Sequence, residues 1–328
     1  MYTIAVDCMG LDKGPKVCVD SIINFLKRHN DCKIVAFGRY EDLKILESYK
    51  NIEIVDCKDV MPMTAGAIEA MRARETSMYK AIVSAKERNF DGVISAGSTA
   101  AYLTLATVKL KTIEGIERAA LVTILPTESG KYFTVLDVGA NVETSSDQLI
   151  QFAKMGRIYS QKVLKVENPN VYLLSNGAED EKGSPEVKEA NKILKETNFP
   201  GFKGNIESKE VINSDVDVLV TGGYVGNIFL KCYEGVAKMM SNLIKKAFKK
   251  NLSTKVGYLF AKKGFDELSS KLKSDKIGGA MLLGVNGVVV KSHGGSTESA
   301  FTSAMEVLYS IVNENALELI KNGVNENA

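Results

Sequence analysis

Short runs of β-branched and aliphatic residues alternate with helical patterns from one end of the chain to the other, and few folds satisfy that rhythm. A strand buried on both faces reads as a continuous apolar run, and a helix covering it carries one apolar stripe. Alternating the two builds a mostly parallel sheet with helices on both sides. Strands are expected near 3–7, 33–37, 52–56, 91–95, 119–124, 132–137, 171–175, 217–221, 280–284 and 287–292. Amphipathic helices are expected at 16–28, 77–88, 98–109, 145–164, 184–197 and 296–321. No repeat or Pro/Ser-rich linker divides the 328 residues, so they are expected to form a single α/β domain over 1–328, built as an α/β/α sandwich. Only the tail from Asn322 to Ala328 looks frayed.

One region breaks the rhythm. From Val225 to Lys250 a long helical stripe carries Val236, Met239, Met240, Leu243, Ile244, Ala247 and Phe248. A break at Asn251–Thr254 follows, then a second helical stretch, which together read as a helical hairpin inserted at about 225–275. Between 238 and 276 there are eleven lysines against three acidic residues. Near the turn, Lys249, Lys250, Lys262 and Lys263 flank the apolar pair Leu259 and Phe260. Two readings stand: a surface for an acidic protein or anionic lipid, or a dimer arm whose stripe packs on its partner.

Small and amide-bearing residues follow several strands, where an open parallel sheet places its ligands. They are Asp7–Gly10, Ser95–Thr99, Asp137–Asn141, Ser175–Glu179 and Thr221–Asn227. Glycine lets backbone approach a ligand, and helix N-termini offer free N–H groups to an anion. Five such ends on one sheet edge point to an anionic or phosphate-bearing ligand, against the alternative of ordinary tight turns. Phosphate-loop, dinucleotide, nucleophile-elbow and zinc-protease motifs are all missing, so no cofactor or metal is expected.

The two histidines differ. His29 follows Lys27-Arg28 at a helix end and reads as solvent-exposed. His293 follows the strand Val288–Val290 and precedes glycines and a long helix, where it either caps and packs or serves an oxyanion or a proton. The five cysteines are scattered, with no C-x-x-C, and read as free thiols suited to a reducing cytosol. Met1 leads straight into a strand-like segment without a signal-peptide pattern, and no apolar run is long enough to span a membrane. A net charge of +2 gives no reason to expect nucleic acid. The expected location is therefore the cytoplasm, with at most peripheral membrane contact.

Ordered motifs carry a resemblance. Val6–Asp12 with Pro15-Lys16, Ile94–Thr99, Leu136–Asn141, Gly177–Gly183, Phe202–Glu207, Gly223–Asn227 and Gly278–Gly284 with His293-Gly294 are similar to the phosphate acyltransferases of bacterial phospholipid synthesis, the PlsX family. The resemblance spans the whole chain. It implies an isocitrate/isopropylmalate dehydrogenase-like fold, shared with phosphotransacetylase, and a homodimer. The implied reaction moves a long-chain fatty acyl group from acyl carrier protein to inorganic phosphate, giving acyl phosphate. A coenzyme A thioester as donor, or a catalytically silent scaffold, remains the alternative. The scaffold reading stays open because the family's usual acid and hydroxyl are replaced by Gly222 and Val225. Leu11, Lys13, Ser98, Ala100 and Gly295 also depart from the family pattern.

On this resemblance Lys182 would hold phosphate or the oxyanion, Asn227 would donate to the carbonyl oxygen, and His293 would donate to the oxyanion or protonate the departing thiolate. A solvated lysine and a helix N-cap are the plainer readings of the first two. Asn141 and Asn205 would orient phosphate or the pantetheine arm. Asp7, Gly10, Ser95, Ser98, Thr99, Asp137, Gly177, Glu179 and Gly226 complete the expected substrate site, with Asp7 and Asp137 anchoring its loops.

Overall fold

The apolar runs form an eleven-stranded sheet in the computed structural model, which describes residues 1–272 and 279–325. Its strands are β1 (Tyr2–Asp7), β2 (Cys32–Gly38), β3 (Ile52–Asp56), β4 (Gly92–Ser95), β5 (Ala120–Pro126) and β6 (Tyr132–Leu136). They continue as β7 (Val171–Ser175), β8 (Phe202–Glu207), β9 (Val218–Val220), β10 (Ala280–Leu283) and β11 (Val288–Lys291). The helices are α1 (Pro15–Leu26), α2 (Tyr40–Leu43), α3 (Ala67–Arg72), α4 (Ser77–Glu87), α5 (Thr99–Leu110) and α6 (Ser146–Val163). After them come α7 (Pro185–Glu196), α8 (Gly223–Phe248), α9 (Leu252–Leu272), α10 (Glu298–Asn313) and α11 (Ala316–Asn325).

The strand order is β3-β2-β1-β4-β11-β10-β5-β6-β9-β7-β8. All pairings are parallel except those of β10 with β11 and β5, and of β5 with β6. These antiparallel steps have a consequence for the site. β6, β7, β8 and β9 run opposite to β1, β4 and β11, so their carboxyl ends lie at opposite edges of the sheet. The expectation of five strand ends on one edge is therefore corrected. Alternation along the strands builds two cores, with Ile4, Val6, Val288 and Val290 facing α1, α6, α10 and α11. Ala5, Val93, Leu121 and Val289 face α4 and α5 on the other side.

Three helical expectations change. Asn315, at φ 52°, takes the left-handed conformation that asparagine tolerates, and divides 296–321 into α10 and α11. α11 buries Ile320 and Val324, so the stretch from Asn322 to Asn325 is helix rather than frayed chain, and 326–328 lie outside the described residues. The hairpin turn is also tighter than its sequence suggests. Asn251 Oδ1 accepts the Thr254 N–H at 2.9 Å, so Leu252–Thr254 open α9 instead of breaking it. Residues 273–275 of the hairpin and Gly278 of its following motif lie outside the described residues.

Candidate active site

Strand register builds the first half of the site. Val6 pairs with Ile94, so Ser95 stands beside Asp7, and Lys291 pairs with Ser95 on the next strand. Asp7 is buried, and its carboxylate accepts from Ser95 Oγ and Ser77 Oγ at 2.6 Å each and from the Met9 N–H at 3.2 Å. Burial pushes this carboxyl up from 3.8 to about 6, while the serine hydrogen bonds pull it back down. Ser95 Oγ also accepts the Gly97 N–H at 3.0 Å. Gly10, at φ 93°, brings the neighbouring loop so close that a Cβ would sit 2.9 Å from Gly97 Cα. Ser98 N-caps α5 and donates to the Ala65 carbonyl at 3.0 Å, leaving Thr99 as the exposed first residue of that helix.

At the opposite edge, Asp137 organises a loop. Its Oδ1 accepts the N–H groups of Leu121, Gly139 and Ala140 at 3.0, 3.0 and 2.9 Å. Its Oδ2 accepts the Asn141 N–H at 2.8 Å and Asn141 Nδ2 at 2.9 Å. Asn141 Nδ2 also donates to the Ala119 carbonyl at 2.8 Å. α8 is docked on this loop through Gly226, where a Cβ would overlap the Asp137 carbonyl oxygen. Its N-cap is Gly222, which has no side chain to accept an N–H, and the neighbouring Thr144 hydroxyl has no hydrogen-bond partner among the described residues. α8 begins at Gly223, so Asn227 lies one turn inside it and is no N-cap. The Asn227 amide packs on Gly139 and makes no hydrogen bond among the described residues.

The loop after β7 is a separate cluster. Asn205 Nδ2 donates to the carbonyls of Glu179 and Lys182 at 2.9 and 3.4 Å, and its Oδ1 accepts from Asn191 at 2.8 Å. Gly177 is buried under the Lys182 and Glu179 side chains, both of which are otherwise exposed. Asp7, Ser95, Ser98, Asp137, Asn141 and Asn205 thus spend hydrogen bonds on holding loops.

A groove of about 640 Å³ joins the two edges across one sheet face. Leu121, Thr123 and Leu125 of β5 form its floor, and α8 forms one wall through Asn227, Leu230, Lys231 and Glu234. α8 is fixed there by Tyr233, whose hydroxyl donates to the Pro126 carbonyl at 2.9 Å. Thr99, Lys291, His293 and Ser296 form the facing wall. The structure therefore brings Thr99, Asn227 and His293 together, while Lys182 does not line the groove. His293 Nδ1 accepts the Gly295 N–H at 3.0 Å, so the neutral ring carries its proton on Nε2, and that N–H has no acceptor among the described residues.

Lys291 went unrecognised because it follows Val288–Val290 and reads as the end of a strand. The signal available was a lysine directly before Ser292-His293-Gly294. His29 is a correction of another kind. It is half-buried between Phe25 and Tyr309, with Nε2 2.7 Å from Glu306. Among the described residues no cluster of His, Cys, Asp and Glu is arranged to hold a metal, and no helix is long and apolar enough to cross a membrane. On the hairpin, Lys249, Lys250, Lys262 and Lys263 are exposed, as are Leu259 (70%) and Phe260 (88%).

A sheet with an antiparallel insertion and a groove across its face defines an α/β fold shared with known phosphotransacylases. A phosphotransacetylase from Streptococcus pyogenes superposes with a TM-score of 0.59 at 16% identity, covering 97% of this chain and 94% of its own. A branched-chain phosphotransacylase from Enterococcus faecalis V583 gives 0.56 at 17% identity over 95% of this chain and 99% of its own. The chain belongs to the family described as fatty acid synthesis protein, whose model matches residues 2–319. It is similar to the phosphate acyltransferase of Aliarcobacter butzleri, 40% identical over 93% of this chain and 92% of that protein. The phosphate acyltransferase of Clostridium beijerinckii is 39% identical over 97% of this chain and 98% of its own length.

Proposed function

We propose that this protein transfers a long-chain fatty acyl group from acyl carrier protein to inorganic phosphate, forming acyl phosphate for phospholipid synthesis. The observation that carries the reading is the groove, where the Asn227 amide and the His293 Nε2–H, neither with an acceptor among the described residues, face a floor of Leu121 and Leu125. An apolar floor suits an acyl chain, and free donors suit the oxygen of a thioester carbonyl as it gains charge. Kinship with proteins named phosphate acyltransferase supports the choice of reaction.

A phosphate oxygen attacks the thioester carbonyl carbon, and the carbonyl electrons move onto oxygen, where Asn227 and His293 donate. The C–S bond then breaks. The proton given up by the attacking phosphate ends on the departing thiolate, so acyl phosphate and the free thiol of the carrier account for all atoms. No covalent enzyme intermediate is required, because positioning and charge balance supply the catalysis. Lys182 is retained as a candidate contact to the substrate from the loop after β7. The test is phosphate-dependent release of free carrier protein from palmitoyl-acyl carrier protein, with acyl phosphate trapped by hydroxylamine. Turnover is expected with that donor and not with acetyl-coenzyme A. The converse pattern moves the donor to coenzyme A, and inactivity in a folded protein that still binds carrier protein leaves a scaffold.

The hairpin serves this function as the contact to partners. Lys249, Lys250, Lys262 and Lys263 attract the acidic carrier protein or an anionic bilayer, and Leu259 and Phe260 enter the interface, placing a cytoplasmic homodimer against the inner face of the membrane. Co-flotation with anionic vesicles is expected for the wild type and not for Leu259→Asp/Phe260→Asp. Equal flotation of both disproves the membrane contact.

A further inference from the structure

We propose that Lys291 is the cation that binds inorganic phosphate in the groove, with its ammonium placed by the row Asp7–Ser95–Lys291 across three strands. Register creates that row, since Val6 stands opposite Ile94 and Lys291 opposite Ser95. All three side chains lie on the face that carries Ala5, Val93 and Val289, the face on which the groove lies.

Lys291 is only 7% exposed, yet it lines the groove. Its ammonium donates to the Ser292 carbonyl and makes no other hydrogen bond and no ion pair among the described residues. An ammonium has three donors, so two remain without a protein partner in a place where water is scarce. Leaving a charge in that condition is costly unless an anion completes it. Asp7 and Asp12 are near enough to favour the charged form without pairing with it, while burial disfavours it more strongly and brings the amine down to about 8. The lysines of α8 that border the groove, Lys231, Lys238 and Lys245, are surface groups screened by water. Ser292 Oγ and Ser296 Oγ, 2.9 Å apart, lie next to Lys291, and Thr297 caps the N-terminus of α10 just beyond. A phosphate held by the ammonium thus lies in the same groove as the free Nε2–H of His293 and the amide of Asn227, which suits a nucleophile that must meet a carbonyl bound by those donors.

The inference rests on the acyl-to-phosphate reading for the identity of the anion, and its test does not depend on turnover. Inorganic phosphate is titrated calorimetrically into wild type, Lys291→Met and Lys182→Met. Lys291→Met keeps most of the aliphatic stem, and it is expected to weaken phosphate binding at least tenfold with an unchanged melting curve. Where turnover is measurable, KM for phosphate rises and KM for the carrier-protein substrate stays the same. A second measurement needs no variant. At pH 8.5 free phosphate is already a dianion and Lys291 is partly deprotonated, so binding must draw a proton onto Lys291. The binding enthalpy is then expected to change with buffer ionisation enthalpy in the sense of proton uptake at pH 8.5, and in the opposite sense at pH 7, where Lys291 is mostly charged and the monoanion of phosphate loses a proton to bind as the dianion. The other charged or titratable groups around the ammonium are Asp7, Asp12 and His293, with Lys231, Glu234, Lys238 and Lys245 across the groove. Failure of wild type to bind phosphate, unchanged binding in Lys291→Met, or loss in Lys182→Met instead overturns the assignment. Binding that follows Lys291 in a protein without acyltransferase activity overturns the proposed reaction and leaves the anion site standing.

Discussion

Alanine at Asp137 is expected to lower the unfolding free energy by about 4 kcal/mol, the largest effect of any single change in the site. The carboxylate is buried and accepts four backbone N–H groups and the Asn141 amide. Each buried donor left without an acceptor costs about 1–3 kcal/mol. Gly139, Ala140 and Asn141 are only half-buried, so water replaces part of what they lose, whereas Leu121 lies within the sheet and recovers little. Asparagine at this position keeps one acceptor oxygen but turns an NH₂ group toward donors, so Asp137→Asn is expected to lose about half as much. Urea unfolding followed by circular dichroism measures both. A loss below about 0.5 kcal/mol in the alanine variant would show that the loop is held by something other than this carboxylate. The effect reaches function as well, because α8 rests on the Asp137 backbone at Gly226 and carries Asn227 one turn inside its start.

The same loop shows what was legible in the sequence and what was not. Most strands were readable because runs such as Val288–Val290 or Ile34–Phe37 are apolar on both faces, which a doubly covered sheet demands. β8 was not, since Lys203, Gly204 and Asn205 interrupt any apolar run. β8 lies at the end of the sheet, and a buried Asn205, bonded to Asn191, stands there where an apolar residue would mark a central strand. The reversal of β6 to β9 had no local signal at all. Direction is set by which strands pair, and β10 reaches its antiparallel place between β11 and β5 from far along the chain. One edge was therefore expected where two exist, and residues at both edges were read as one site. Thr99, Asn227 and His293 reach the common groove only because it crosses the sheet face. Lys291 was hidden by the same physics that buries it: its stem continues a valine strand, and only the register with Ser95 and Asp7 shows where the charge sits.

Removing the ring at 293 is the second large expected effect. His293→Ala is expected to lower kcat/KM by about 100-fold, the scale of losing one oxyanion donor, while the exposed position leaves the fold intact. The loss should fall on kcat more than on KM for either substrate, because the donor is fully used only once the carbonyl oxygen carries charge. His293→Gln separates two roles. A glutamine amide can donate a hydrogen bond from a similar position but cannot release a proton, so recovery of about tenfold over alanine identifies a donor to the oxyanion. No recovery identifies His293 as the acid that protonates the thiolate. A folded alanine variant within about threefold of wild type removes His293 from the mechanism altogether. Asn227→Ala adds the decisive comparison. If both groups donate to the same oxygen, each partly covers for the loss of the other, and the double variant loses more than the product of the single losses. If they act on different atoms, the losses multiply.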